Sequence, residues 1–298
     1  MRFWCSQLFQ PWTWTPQPYI GVWLILAMLI INRRRAIHRA RTNGLPAPTT
    51  RQRWWFWLGL FAFWAASDWP IGTLGAGYLA SVHMLQYMIY TLAAAPLLLI
   101  SMPDWRMRQL IAGWHLGSTV RVVSRPLIAA IIANVILIAT HAPLTVDSLR
   151  TSQIGSFLLD IVWFVGGVLL WLPVLNPIKD QRIRSVPVRM IYLFMAAQLT
   201  PMIPGGFLTF ANYPLYSTYE LAPRVGLDAL TDQQLAGAIM KVGSLPVIWI
   251  VIAVLWARWA AADSATDGSY KSSAASRQAP PTHSPAPASH DAGSAATG

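Results

Sequence analysis

The chain predicts an all-α integral membrane protein, a bundle of about seven transmembrane helices with the N-terminus outside and the C-terminus in the cytoplasm. Three observations carry this expectation. Its 298 residues are 55% apolar and only 11% charged and include sixteen tryptophans, a composition for which the bilayer is the natural solvent. Apolar runs of about twenty residues, the length a spanning helix needs, recur along it. The basic residues gather in alternate connecting segments instead of along one helical face, so the net charge of +11 reads as membrane topology and not as nucleic-acid binding.

The first run extends from about Pro16 to Ile31 and stops at Arg33, Arg34 and Arg35. It follows polar and aromatic residues and ends in arginines instead of a small-residue cleavage site, so it reads as a retained helix and not as a signal peptide. The second, about Trp54 to Gly72, opens on Trp54, Trp55, Phe56 and Trp57, side chains suited to the headgroup level. The third covers about Tyr78 to Ser101, the fourth Pro126 to His141, the fifth Ile154 to Leu175, the sixth Pro187 to Phe210 and the last about Leu235 to Ala260. In the sixth, Pro201, Pro204, Gly205 and Gly206 must kink or unwind the helix or let a neighbour approach closely. Thr231 and Gln234 have capping-box spacing for the last helix, with Asp232 placed to complement its dipole.

Orientation follows from the loops. The segment after the first span holds Arg33, Arg34, Arg35, Arg39, Arg41, Arg51 and Arg53; the third-to-fourth loop holds Arg106, Arg108, Arg121 and Arg125; the fifth-to-sixth holds Lys179, Arg182, Arg184 and Arg189. The intervening loops carry only Arg150 and Arg224. Short basic loops stay in the cytoplasm, which puts the bare ones outside. The domain plan is then an outer N-terminal segment (1–15), a seven-helix transmembrane domain (16–262) and a disordered cytoplasmic tail (263–298) rich in Ala, Ser, Pro and Gly.

In lipid the informative residues are polar ones inside spans, each costing roughly 2.5 to 3.5 kcal/mol at the centre unless partnered. In the third span His83, Met84, Gln86, Tyr87 and Met88 sit together, with His83, Tyr87 and Met84, Met88 on adjacent i, i+4 ridges and His83 about 8 Å below the outer end at about 1.5 Å per residue. Asp68 ends the second span on the same side, His141 ends the fourth, and Asp160 lies early in the fifth. Imidazole and thioether suit copper, the thioether favouring the cuprous ion. The candidate metal ligands are therefore His83, Met84, His141, Asp160 and Asp68. The alternative is that His83 and Gln86 bond across helices while Met84 and Met88 fill the core. Cys5 is the lone cysteine, so no internal disulfide forms.

From the second span to the seventh the chain resembles the CtaG family of cytochrome c oxidase assembly factors. The resemblance rests on Ser81, Val82, His83, Met84, Leu85 and Gln86 followed by Ala95, Pro96, Leu97, Leu98 and Leu99, on the His141, Pro143 pair, on Trp171, Pro173, Val174 and Leu175, and on Asp232, Gln233, Gln234, Ala236, Gly237, Ile239 and Met240. It implies a role in building a haem-copper terminal oxidase in the bacterial inner membrane, with oxidase subunits as partners and copper as the metal. The chain departs from the family's usual pattern at Tyr87, where a second His is usual, at Leu159 and Asp160, where a Glu-His pair is usual, and at Lys241 and Gly243.

Three functional readings follow: an assembly factor that assists copper delivery near the outer face, a transporter of copper or another small solute, and a metal-free membrane scaffold for oxidase subunits. A transporter needs polar groups continuing to the inner side, where the spans offer few besides Asn134 and Gln198. No Gly-x-Ser-x-Gly elbow, His-Glu-x-x-His or phosphate-cradling loop is present, so an enzyme is not expected.

Overall fold

The computed structural model describes residues 2–278, with side chains described to residue 264. In chain order the helices are α1 (Ile20–Thr42), α2 (Thr50–Ser67), α3 (Ile71–Gly77), α4 (Ala80–Ile100), α5 (Asp104–Gly113), α6 (Gly117–Val123), α7 (Pro126–Thr140), α8 (Pro143–Leu149), α9 (Gln153–Leu175), α10 (Val186–Phe210), α11 (Ser217–Glu220), α12 (Ala229–Val242) and α13 (Leu245–Gln278). Residues 1–255 form one compact unit and 256–298 a second. In the second unit α13 stays helical to Gln278, past the compositional shift near Asp263, and the rest of the expected tail lies outside the described residues.

The fold is all-helical. Among the described residues four helices are long and apolar enough to cross a membrane, α4, α9, α10 and the stretch Ala229–Ser264, and a fifth is added if α6 and α7, bent by 84°, count as one span. The remaining expected spans differ for visible reasons. The apolar half of α1 gives way to Arg33, Arg34 and Arg35 inside the same helix, and α2 opens on Arg51 and Arg53 among tryptophans. All the same, Trp23, Leu24 and Met28 on α1 and Trp54, Trp57 and Phe61 on α2 point outward.

On α7 and α9 small and polar residues are prominent on the inward face and large apolar ones on the outward face. On α9 the inner face holds Gly155, Ser156, Asp160, Trp163, Gly166 and Gly167, while Ile154, Leu158, Val162 and Val165 are exposed. On α7 Leu127, Ile131, Val135 and Ile138 form the outer stripe against buried Ala129, Ala133 and Leu137. In water that partition would be unfavourable; in lipid it lets helices pack closely through small residues.

Prolines set the irregularities. A π-helical turn, Ile89–Ala94, precedes Pro96 in α4, and a second, Phe194–Leu199, precedes Pro201 in α10. Proline has no N–H to give the preceding turn, so the helix widens there. The carbonyl of Thr91, which Pro96 leaves without a helical donor, accepts from Trp171 Nε1 at 2.9 Å. In α10 the wide turn brings Gln198 to the break between α12 and α13, where it bonds the Lys241 carbonyl at 3.2 Å and Ser244 Oγ at 2.7 Å.

The expected unwinding of α10 is thus present, and so is the close approach at its glycines. A Cβ on Gly237 of α12 would lie 2.6 Å from Thr209 N and 2.7 Å from the Gly205 carbonyl oxygen. The expected capping box at Thr231 is not formed. Asp228 caps α12 instead, accepting from Leu230 N at 3.1 Å and Thr231 N at 3.0 Å, so the helix starts earlier than the apolar run suggested. That frees Asp232, 2% exposed, to cross to α4 and accept from Ala80 N at 2.5 Å, Ser81 N at 3.2 Å and the Ser81 hydroxyl. Gln233 and Gln234 tie the segment before α11 to α12 through Leu215 N and the Tyr213 and Ala211 carbonyls.

Two substitutions probe this framework. Asp232→Ala leaves the first turn of α4 without its acceptor in a buried place and is expected to cost about 2 kcal/mol, read as a lower thermal unfolding midpoint in detergent. Gly237→Leu forces α10 and α12 apart and is expected to cost roughly 1–3 kcal/mol by the same measurement; an unchanged midpoint would show that the crossing is loose.

Candidate functional site

His83 sits in the first turn of α4, which Asp232 holds, and faces Gly75 of α3 and Tyr219 of α11. Gly75 is required at that contact, because a Cβ there would lie 2.9 Å from Gln86 Oε1 and 3.1 Å from His83 N. His141 ends α7 and is fixed at both ends: its Nδ1 lies 2.8 Å from the Leu137 carbonyl oxygen, and its own carbonyl accepts from the Tyr216 hydroxyl at 2.8 Å. The two imidazoles are buried, with ring centres 5.7 Å apart at 75°. Trp163 of α9 lies against both, edge-on to His83 at 4.7 Å and stacked on His141 at 5.3 Å. Tyr87 packs edge-on against His141 at 4.7 Å.

Beneath His83 runs a buried charge pair. Arg150, just after α8, is wholly buried and places Nη2 3.0 Å from Asp160 Oδ1 on α9. Its guanidinium also lies over the Trp163 ring at 5.1 Å, and Nη2 reaches Gln86 Oε1 at 3.2 Å. The other Asp160 oxygen accepts from Trp4 Nε1 at 2.8 Å and Gln86 Nε2 at 3.2 Å, with the Tyr90 hydroxyl at 3.5 Å. Removing one member of such a buried pair typically costs roughly 3–5 kcal/mol, because the other is left as an uncompensated charge.

Counting donors assigns the histidine tautomers. Arg150 Nη2 donates to Gln86 Oε1 and stands 3.0 Å from Asp160 Oδ1 as an ion pair. It also lies 3.3 Å from His83 Nδ1, a contact whose sense depends on which ring nitrogen carries the proton. The Tyr219 hydroxyl lies 2.7 Å from both the Gly75 carbonyl oxygen and His83 Nδ1, so it donates to the carbonyl and accepts the Nδ1 proton. His141 Nδ1 likewise donates to the Leu137 carbonyl. Each ring is then left with a bare Nε2 lone pair, and among the described residues both Nε2 atoms are buried without a hydrogen-bond partner, as are Arg150 Nε and Nη1 and Asp160 Oδ1 beside them.

Of the residues singled out in the sequence, His83 and His141 are brought together. Met84 is fully buried in the adjoining cluster with Leu137, Tyr216 and Tyr219. Asp160 is engaged by Arg150 and Trp4, and Asp68 is spent on closing α2, accepting from Trp64 Nε1 at 3.1 Å, Trp69 N at 2.9 Å and Tyr19 N at 3.2 Å. Among the described residues no group of three or more His, Cys, Asp or Glu side chains converges as a metal site. Sequence reading did not place Arg150, Trp163, Tyr219 or Trp4 at the site. Arg150 did carry a signal, as one of the two basic residues in the otherwise bare loops; Trp4, separated from Asp160 by most of the transmembrane sequence, carried none.

No curated protein and no solved structure matches the chain. The family model described as cytochrome c oxidase caa3 assembly factor matches residues 34–262, which include His83, His141, Arg150 and Asp160. The chain therefore belongs to the cytochrome c oxidase caa3 assembly factor family.

Proposed function

We propose that this chain is a non-enzymatic, multi-pass protein of the bacterial plasma membrane that assists the copper-loading stage of oxidase assembly, holding a cuprous ion as cargo between His83 and His141 before an oxidase subunit takes it. The observation that carries this reading is the pair of buried imidazoles with bare Nε2 atoms. A buried polar atom without a partner costs roughly 1–3 kcal/mol and calls for an explanation, and a soft monovalent cation supplies one. The Tyr219 hydroxyl and the Leu137 carbonyl fix the ring orientations through Nδ1, as partners of metal-binding histidines commonly do. Neutral ligands beside the Arg150 guanidinium favour one positive charge over two, and Met84 is the thioether in the adjoining cluster. With both carboxylates engaged elsewhere, Asp68 and Asp160 leave the ligand set.

The proposed topology has seven spans, N-terminus outside and C-terminus inside. It is supported by how the loops group. Arg33 reaches the Ser101 carbonyl, Arg106 reaches Asn32 and Asn176 reaches Ser124, so the arginine-rich segments lie together at one end. Gln7 N bonds the Arg150 carbonyl, Tyr19 N bonds Asp68 and Tyr219 bonds Gly75, so the nearly bare segments gather at the other. The outward apolar faces of α1, α2 and α7 suit lipid despite their length or composition.

Titrating purified protein with cuprous ion against a chromophoric chelator is expected to give one tight site per chain that His83→Ala and His141→Ala each abolish. Tyr219→Phe, which releases the His83 ring, is expected to weaken it by roughly 10–100-fold. Binding that is absent from the wild type, or unchanged in both histidine variants, overturns the copper reading, and copurifying oxidase subunits would then leave a scaffold. Topology is tested separately: Leu221→Cys is expected to react with a membrane-impermeant maleimide in intact cells and Arg108→Cys only after lysis, and the opposite pattern inverts the proposal.

A further inference from the structure

At the arginine-rich end, α1, α2, α4, α5 and α9 enclose a cavity of about 350 Å³, well within the range of ligand sites. Its lining includes none of the residues of the histidine pocket. The walls are apolar, formed by side chains such as Leu29, Phe56, Leu98, Leu110 and Phe164, and the polar part of the lining is Asn32, Arg33, Ser101 and Arg106.

The two arginines are what make this more than a packing gap. Arg33 is half-buried, with its guanidinium 4.1 Å over the Phe56 ring and long bonds to neutral groups, 3.4 Å to the Ser101 carbonyl, 3.5 Å to the Ser101 hydroxyl and 3.3 Å to the Gln52 carbonyl. Arg106 bonds the neutral Asn32 carboxamide at 2.9 Å. Among the described residues the carboxylates that pair with arginine are Asp104, held by Arg108, and Asp160, held by Arg150, so neither cavity arginine has an acidic partner. Burial brings Arg33 down to about 10, and burial together with the nearby Arg39 lowers Arg106. Half-buried positive charge without a counter-ion, set beside an apolar hollow, fits a ligand with an anionic head and a hydrocarbon tail. The bilayer supplies such molecules, and basic pockets between membrane helices recognise anionic headgroups.

We propose that this cavity binds one phospholipid with an anionic headgroup, its phosphate held by Arg33 and Arg106 and an acyl chain lying along Leu29, Leu98 and Phe164. In the topology proposed above the lipid belongs to the cytoplasmic leaflet, but the site itself does not depend on copper or on that orientation.

The test uses the full chain, purified and delipidated in a neutral detergent, then offered phosphatidylglycerol or phosphatidylcholine, with retained lipid read by native mass spectrometry. The wild type is expected to retain one phosphatidylglycerol per chain and to discriminate against phosphatidylcholine. Losing either arginine, in Arg33→Gln or Arg106→Gln, is expected to weaken retention about fivefold. Leu29→Trp, which fills the apolar part and keeps both arginines, is expected to weaken it too. Arg106, held by Asn32 alone, gives a usable variant even where Arg33→Gln does not fold. Equal retention of the two lipids, or retention unchanged in Arg106→Gln and Leu29→Trp, overturns the proposal. Inorganic phosphate that stabilises the protein as strongly as phosphatidylglycerol would make this a bare anion site and overturn the acyl-chain part.

Discussion

Arg150 and Asp160 are wholly buried, and their pairing decides how this end of the bundle is built. Asp160 holds the guanidinium with one oxygen and gathers Trp4, Gln86 and Tyr90 around the other, so the N-terminal segment, α4 and α9 meet at one carboxylate. The guanidinium in turn bonds Gln86 and stands 3.3 Å from His83 Nδ1, which also meets the Tyr219 hydroxyl at 2.7 Å. A pair of this kind gains little net stability over apolar residues of the same shape, so its value lies in the arrangement it imposes.

The rest of the bundle follows from solvent. Hydrocarbon offers no partner to backbone or side-chain polar groups, so each irregularity in a helix must be answered by a neighbouring helix. Trp171 answers the proline-widened turn of α4, and Gln198 and Ser244 join the widened turn of α10 to the break after α12. Close crossings are made by glycines, as at Gly205 and Gly237, because hydrocarbon does not drive helices together and contact must come from fit.

Length and apolarity were enough to locate α4, α7, α9 and α10 within a residue or two, since their apolar runs are bounded by Pro, Gly or charge. They misjudged the start of α12, where Asp228 and not Thr231 makes the cap, because side-chain capping is a choice among nearby acceptors that spacing alone does not settle. At the site, His83 and His141 were legible as polar groups at one depth on different helices. Their ligand set was not: Asp160 looked available until Arg150 was seen beside it, and Asp68 until the end of α2 was seen to use it. Depth is a one-dimensional property that the sequence carries, whereas pairing among side chains at one depth depends on helix rotation and order around the bundle.

Asp232 also bears on how the protein is made. The first turn of α4, which carries His83, is completed by a carboxylate about 150 residues further along the chain. During synthesis α4 emerges long before α12, so the acceptor of its leading turn arrives only after α9 and α10 have been made. The histidine pocket is accordingly a late product of biogenesis, closed by the last apolar stretch and not by the helices that line it.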